Sequence, residues 1–256
     1  MSKNNIIITY LDGIRLHRAL VSGIQNVISR EDYLNKINVF PVPDSDTGTN
    51  MAFTLSAVLD RTSTNVHSSV GDMLEVVADS ALDGARGNSG AILAQFFQGM
   101  SDGSDGVIKM TTQDFSNAIK LGSQYAREAL ADPKEGTILT VLSDFSLHLI
   151  NQIDSGVADF VVLFETGMKI ARKSLENTPN QLNVLKKAGV VDAGAQGFVD
   201  LLQGIQKFIN NENLNEPILP KISSIDHVIN IDIKDEITEM TFRYCTECMI
   251  CGDNID

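Results

Sequence analysis

The sequence predicts an all-α domain over its first 210 residues. Three observations carry this. Apolar residues recur at three- and four-residue steps in one segment after another. Short breaks rich in Gly, Pro and Asp separate the segments. No strand–helix–strand alternation precedes residue 211, which argues against a Rossmann or P-loop layout, and neither GxxxxGKS/T nor GxGxxG is present.

The elements follow in order. Residues 10–30 read as a helix, with Leu11, Ile14, Leu20, Ile24, Val27 and Ile28 on its inner face. NVFPVPDSDTGTN at 38–50 breaks every regular pattern and reads as a loop, followed by a helix over 51–59. Residues 70–83 are helical, with Val70, Met73, Val76, Val77 and Leu82 facing inward. GARGNSG at 84–90 interrupts, 91–100 resumes, and SDGSDG at 101–106 is an exposed loop. Helices are expected at 112–131, 137–153, 157–175 and 196–211, separated by ADPKEG, DSG and the stretch from ENTPN to VVDAGAQG. A polar linker with two prolines spans 211–225. Residues 226–256 then alternate apolar and polar positions as strands do, so the tail reads as the start of a second domain that is cut off.

Composition narrows the function classes. With 43% hydrophobic residues, the chain can bury a real core; without Trp, that core is built largely from Leu, Ile, Val, Ala and Met. A formal charge of -13 disfavours a nucleic-acid surface or an anionic membrane, and suits a protein that binds cations. The N-terminus lacks an apolar stretch of signal-peptide length, and no run approaches the ~18 apolar residues of a membrane span. The cytoplasm is the expected compartment, since the three cysteines sit within the last twelve residues and form no disulfide framework. Cys245, Cys248 and Cys251 are spaced as in an iron–sulfur run, but the fourth ligand is missing and the segment equally reads as a strand. His17, His67, His148 and His227 do not cluster, so no Ser–His–Asp arrangement can be built from them.

Four segments could carry chemistry. In Asp44-Ser45-Asp46-Thr47-Gly48-Thr49-Asn50, two carboxylates one residue apart can hold hard cations, and the helix that follows offers N–H groups to a phosphate. Asp83-Gly84-Ala85-Arg86-Gly87-Asn88-Ser89-Gly90 reads as an anion cradle before a helix. Lys134-Glu135-Gly136-Thr137 and Asp192-Ala193-Gly194-Ala195-Gln196-Gly197 are also glycine-bearing loops at expected helix starts. Taken singly, each also reads as a capped helix connection. Four on one helical chain exceed what connectivity requires.

NVFPVPDSDTGTNM, GARGNSGAILAQFFQG, KEGTILTV, SLENTPN and AGVVDAGAQG together resemble the N-terminal domain of the fatty acid kinase A family, which is related to the DhaL subunit of dihydroxyacetone kinase. The resemblance covers roughly residues 8–210 and the YCTE stretch at 244–247. It implies a barrel of about eight antiparallel amphipathic helices with nucleotide bound by the loops at one end. It also implies ATP and Mg²⁺ as cofactors. Asp44 and Asp46 match the metal-binding aspartates, and Thr47, Gly48, Thr49 and Asn50 the adjoining nucleotide loop. Asn88, Ser89 and Gly90 match the phosphate cradle, Thr137 a nucleotide-side threonine, and Asp192, Ala193 and Gly194 the segment near the adenosine. Two positions depart from the pattern. A third metal aspartate of the dihydroxyacetone kinase subunits is replaced by Val39, which leaves Asn38 as the nearest polar candidate ligand. The usual Gly between the aspartates is Ser45.

The implied reaction is transfer of the γ-phosphoryl of Mg·ATP to the carboxylate of a fatty acid, presented by a DegV-like fatty-acid-binding protein, giving an acyl phosphate. A carboxylate acceptor needs no strong general base, which agrees with the scattered histidines. A homodimer formed through domains this chain lacks is also implied. Two rival readings stand beside it: a kinase subunit acting on a small ketone, and a nucleotide-binding regulatory module without turnover.

Overall fold

Asp12 starts the first helix by accepting the Arg15 N–H at 2.8 Å. The chain then runs in the computed structural model as α1 (Gly13–Ile28), α2 (Glu31–Lys36), α3 (Thr47–Thr62), α4 (Val70–Asp83), α5 (Gly87–Asp102), α6 (Thr112–Glu128), α7 (Ile138–Asp154), α8 (Phe160–Gln181), α9 (Asn183–Ala188) and α10 (Ala193–Asn210). Residues 7–210 are described. Leu16, Leu20, Ile24 and Val27 make the buried stripe of α1 at steps of four, four and three.

The long helices close into an up-and-down ring in which α1, α3, α4, α5, α6, α7, α8 and α10 each pack on the next, and α10 returns to α1. The expected barrel of about eight antiparallel helices is therefore present. Its interior is a single apolar cluster around the fully buried Phe97, Phe145 and Phe198, with the Phe145 and Phe198 rings meeting edge to face at 5.9 Å. No helix among the described residues is long and apolar enough to cross a membrane.

Several expectations shift. The first helix begins at Gly13 because Tyr10–Asp12 forms a strand, β1, that pairs antiparallel with β2 (Lys109–Thr111). Ile14 and Leu82 were expected inside; they are 43% and 54% exposed, each one position off its buried stripe. The stretch 84–90 is not all loop: α5 starts at Gly87, so Asn88, Ser89 and Gly90 form its first turn, and its other end runs on to Asp102. Likewise α3 starts at Thr47 and α10 at Ala193. ENTPN lies inside α8 despite Pro179. The Leu175 carbonyl, which the missing Pro179 N–H would have bonded, instead accepts from the Thr178 hydroxyl at 2.8 Å. The short α2 and α9 were not foreseen.

The linker, the β-rich tail and Cys245, Cys248 and Cys251 lie outside the described residues.

Candidate active site

In an up-and-down ring, alternate helices start at the same end. Here α3, α5, α7 and α10 all begin at one end and line one cleft of about 390 Å³. Thr47 comes from α3, Asn88 and Ser89 from α5, Thr137 and Ile138 from the start of α7, and Asp192 and Gly194 from the start of α10. Phe40, Pro41 and Lys134 also line it. Each helix presents the positive end of its dipole there.

The four starts are not equivalent. α7 and α10 are capped through one side chain: Asp192 Oδ1 accepts the Ile138 N–H at 2.9 Å and the Ala195 N–H at 2.8 Å. The Thr178 hydroxyl accepts the Asp192 N–H at 3.1 Å, and Thr137 donates to the Lys134 carbonyl at 2.7 Å. Burial pushes the Asp192 carboxyl up to about 6, against the pull of its two N–H partners. By contrast, Arg86 and Asp46 precede α5 and α3 without capping them through their own side chains. The start of α5, which its preceding residue does not cap, is therefore the start best suited to an anionic group. At α10 the Ala195 N–H is taken by Asp192, and at α3 the Thr49 N–H is taken by Asn35.

Asp44 and Asp46 are not among the residues that line the cleft; they precede the lining residue Thr47, in a loop turned by Ser45 at φ 58°, in the left-handed region. This explains the departure noted at Ser45: glycine adopts that conformation without strain. Burial first, then the Asp46 charge and a hydrogen bond to it, raise Asp44 above its ordinary value, while the bond from Asn38 opposes them. Asn38 is 4% exposed and donates from Nδ2 to Asp44 Oδ1 at 2.7 Å. Its Oδ1 is buried without a partner. No group of three or more His, Cys, Asp or Glu side chains gathers among the described residues, so a cation here would rest on two carboxylates and neutral oxygens.

The structure thus brings Thr47, Asn88, Ser89, Thr137, Asp192 and Gly194 to one cleft, with Asp44 and Asp46 outside its lining in the loop that leads into Thr47. Other sequence-predicted residues are engaged in packing. Thr49 bonds to α2 through both its N–H and its hydroxyl. A Cβ on Gly48 would lie 2.2 Å from the Glu31 carbonyl oxygen, one on Gly90 2.4 Å from Thr54 Oγ1, and one on Gly87 2.4 Å from Asn50 Nδ2. These glycines allow helices to approach and keep the Asn50 amide against α5. Ala193 is buried in the first turn of α10. His17 and His148 have buried, unpartnered Nε2 atoms and are held below their usual values by burial, with Arg18 adding for His17. Both belong to the scaffold. Sequence reasoning missed Phe40, Pro41 and Ile92 as lining residues, and the α2 contacts. No local pattern marks these. A second cavity of about 100 Å³ among Leu16, Phe97, Phe164 and Leu202 has Arg15 as its one charged lining residue and offers no reacting group.

Comparison with known proteins decides the family. The DAK2 domain pattern matches residues 41–207, the span that contains the starts of all four helices bordering the cleft. The chain belongs to the DAK2 domain family. An uncharacterized protein of Staphylococcus epidermidis is 34% identical over 248 residues, 95% of this chain and 44% of the relative. Another from Staphylococcus aureus strain USA300 is 33% identical over 251 residues, with the same shares covered. This DAK2 chain therefore spans less than half the length of these curated relatives. Among solved structures, the dihydroxyacetone kinase from C. freundii in complex with AMP-PNP and Mg²⁺ superimposes with a TM-score of 0.58 at 15% identity, over 81% of this chain and 36% of that one. Its native form gives 0.54 at 14% identity. At that identity the likeness bears on the fold.

Proposed function

We propose that this DAK2 domain binds Mg·ATP in the cleft and serves, in the cytoplasm, as the kinase domain that transfers the γ-phosphoryl to a fatty acid carboxylate presented by a DegV-like protein. The observation that carries the reading is the convergence of four helix starts on one cleft, with a carboxylate pair in the loop that leads into one of them. The two starts not capped by their own preceding residues lie nearest in sequence to that pair. A polyphosphate placed against α3 and α5 gains both dipoles and the N–H groups of the first turn of α5, which Arg86 does not cap. The uncharged end of the nucleotide then falls toward Asp192 and Gly194, where Asp192 already holds the Ile138 and Ala195 N–H groups.

The residues fit a magnesium ion. The Asp46 charge adds to the cost of ionising Asp44, which a hard cation relieves. The orphaned Asn38 Oδ1 supplies a further oxygen close behind them. Bound there, the ion would neutralise phosphate oxygens as negative charge moves toward the leaving group. Asp44 and Asp46 would hold it, with Asn38 fixing Asp44. The first turn of α5, through Asn88 and Ser89, orients the phosphates. The acceptor carboxylate is already nucleophilic, so no side chain need remove a proton from it.

The test is phosphoryl transfer from γ-labelled ATP, with hydroxylamine trapping of the acyl phosphate. A DegV-like protein loaded with fatty acid should yield hydroxamate, and dihydroxyacetone should take no label. Label on dihydroxyacetone assigns the domain to small-ketone chemistry. Nucleotide binding without transfer to either acceptor assigns a regulatory role.

A further inference from the structure

An aspartate just before a helix ordinarily folds its side chain back onto the second or third N–H of that helix. Asp46 stands at this position of α3 and makes no such bond. The third N–H, that of Thr49, is taken by a side chain from another helix: Asn35 Oδ1 accepts it at 3.0 Å. Asn35 is itself fixed, because its Nδ2 donates to Thr49 Oγ1 at 2.9 Å while that hydroxyl donates to Glu31 Oε1 at 2.8 Å. The absence of a side chain at Gly48 lets α2 approach closely enough for this.

We propose that Asn35 is a positioning residue for the cation: it caps α3 in place of Asp46 and so keeps the Asp46 carboxylate with Asp44 rather than on the helix. This rests on the Mg·ATP reading. Without Asn35, the Thr49 N–H is an orphan donor. Asp46, three residues before it, stands at the cap position and becomes the replacement acceptor once its backbone turns from φ -117°, ψ -8° to the extended region that cap residues adopt. A carboxylate recruited there is withdrawn from the metal. Asn35 acts on the cation only through this competition and touches no substrate.

The experiment compares wild type, Asn35→Ala, Asn35→Asp, Asp46→Asn and the Asn35→Ala/Asp46→Asn double variant. It measures ADP affinity with and without Mg²⁺ and the Mg²⁺ concentration at half-effect. Asn35→Ala should raise that concentration about fivefold, the factor an ordinary helix cap is worth, with metal-free ADP affinity unchanged. Asn35→Asp keeps an oxygen for the Thr49 N–H and should return it to within about twofold of wild type. In the Asp46→Asn background, Asn35→Ala should add nothing further. If Asn35→Ala does not fold, Asn35→Ser, whose side chain is too short to reach, takes its place. An unchanged Mg²⁺ requirement, an affinity loss equal with and without Mg²⁺, or failure of Asn35→Asp to rescue overturns the proposal. Failure of the Mg·ATP reading is separate: wild type and Asp46→Asn would then show the same Mg²⁺ dependence, or none.

Discussion

Asp192 ties the cleft to the stability of the barrel, and substitution there separates its two roles. Asp192→Ala removes the shared acceptor of the Ile138 and Ala195 N–H groups. Each orphaned buried donor costs about 1–3 kcal/mol, so a loss of about 2–5 kcal/mol is expected, reduced where water enters from the cleft. Asp192→Asn keeps an oxygen at the same place and should cost far less at neutral pH. The pH dependence then isolates the carboxyl. Its folded-state value is raised from 3.8 to about 6. A raised carboxyl contributes stability that is full below the unfolded value and is lost as pH rises through the folded one. Between pH 7.5 and 5, wild type should therefore gain on the order of 1 kcal/mol relative to Asp192→Asn. Urea unfolding of wild type, Asp192→Asn and Asp192→Ala at both pH values measures this, and other titrating groups cancel in the comparison. A parallel pH response in wild type and Asp192→Asn, or an Asp192→Ala variant within about 0.5 kcal/mol of wild type, would refute the reasoning.

Other substitutions test other joints. Ser45→Gly should stabilise by about 1 kcal/mol, raising the melting midpoint by about 2–4 °C, because Ser45 sits at φ 58°; a lower midpoint would show the turn to be unstrained. Thr178→Val strips the partner from the Asp192 N–H and should cost about 2 kcal/mol in chemical unfolding; a cost below about 0.5 kcal/mol removes the account of how α8 meets α10. Arg30→Met leaves the Asp200 carboxylate, whose side chain is 1% exposed, without its ion-pair partner at 2.8 Å. It should destabilise by about 2 kcal/mol or more, and adding Asp200→Asn should recover part of the loss; strict additivity of the two would show the pair to be uncoupled.

Much of the barrel was legible because its helices are amphipathic and its breaks are short. The errors cluster where tertiary contact overrides local pattern. Gly48, Gly87 and Gly90 read as loop residues, yet they occupy the first turns of α3 and α5, where another residue's atoms lie against them. Pro179 read as a helix stop, yet the Thr178 hydroxyl satisfies the carbonyl that proline leaves unpaired. Strands of three residues and a helix of six are too short to show a period, so β1, β2 and α2 left no readable signal. The site was legible as four separate segments. Their convergence follows from the ring, in which alternate helices start at one end. The duty of Asn35 was not legible at all, since it rests on one side chain reaching across from α2 to α3.

The central claim is that Asp44 and Asp46 place a magnesium ion for a nucleotide held by the starts of α3 and α5. Thermal unfolding with ATP alone and with ATP and MgCl₂, for wild type beside Asp44→Asn and Asp46→Asn, tests it most directly. At about a hundredfold excess over its dissociation constant, a ligand that binds only the folded state adds about 2.7 kcal/mol. That predicts a midpoint rise of roughly 5–10 °C for wild type that needs Mg²⁺ and is lost in both variants. An equal rise in all three proteins, or no rise in wild type at millimolar Mg·ATP, would contradict the account.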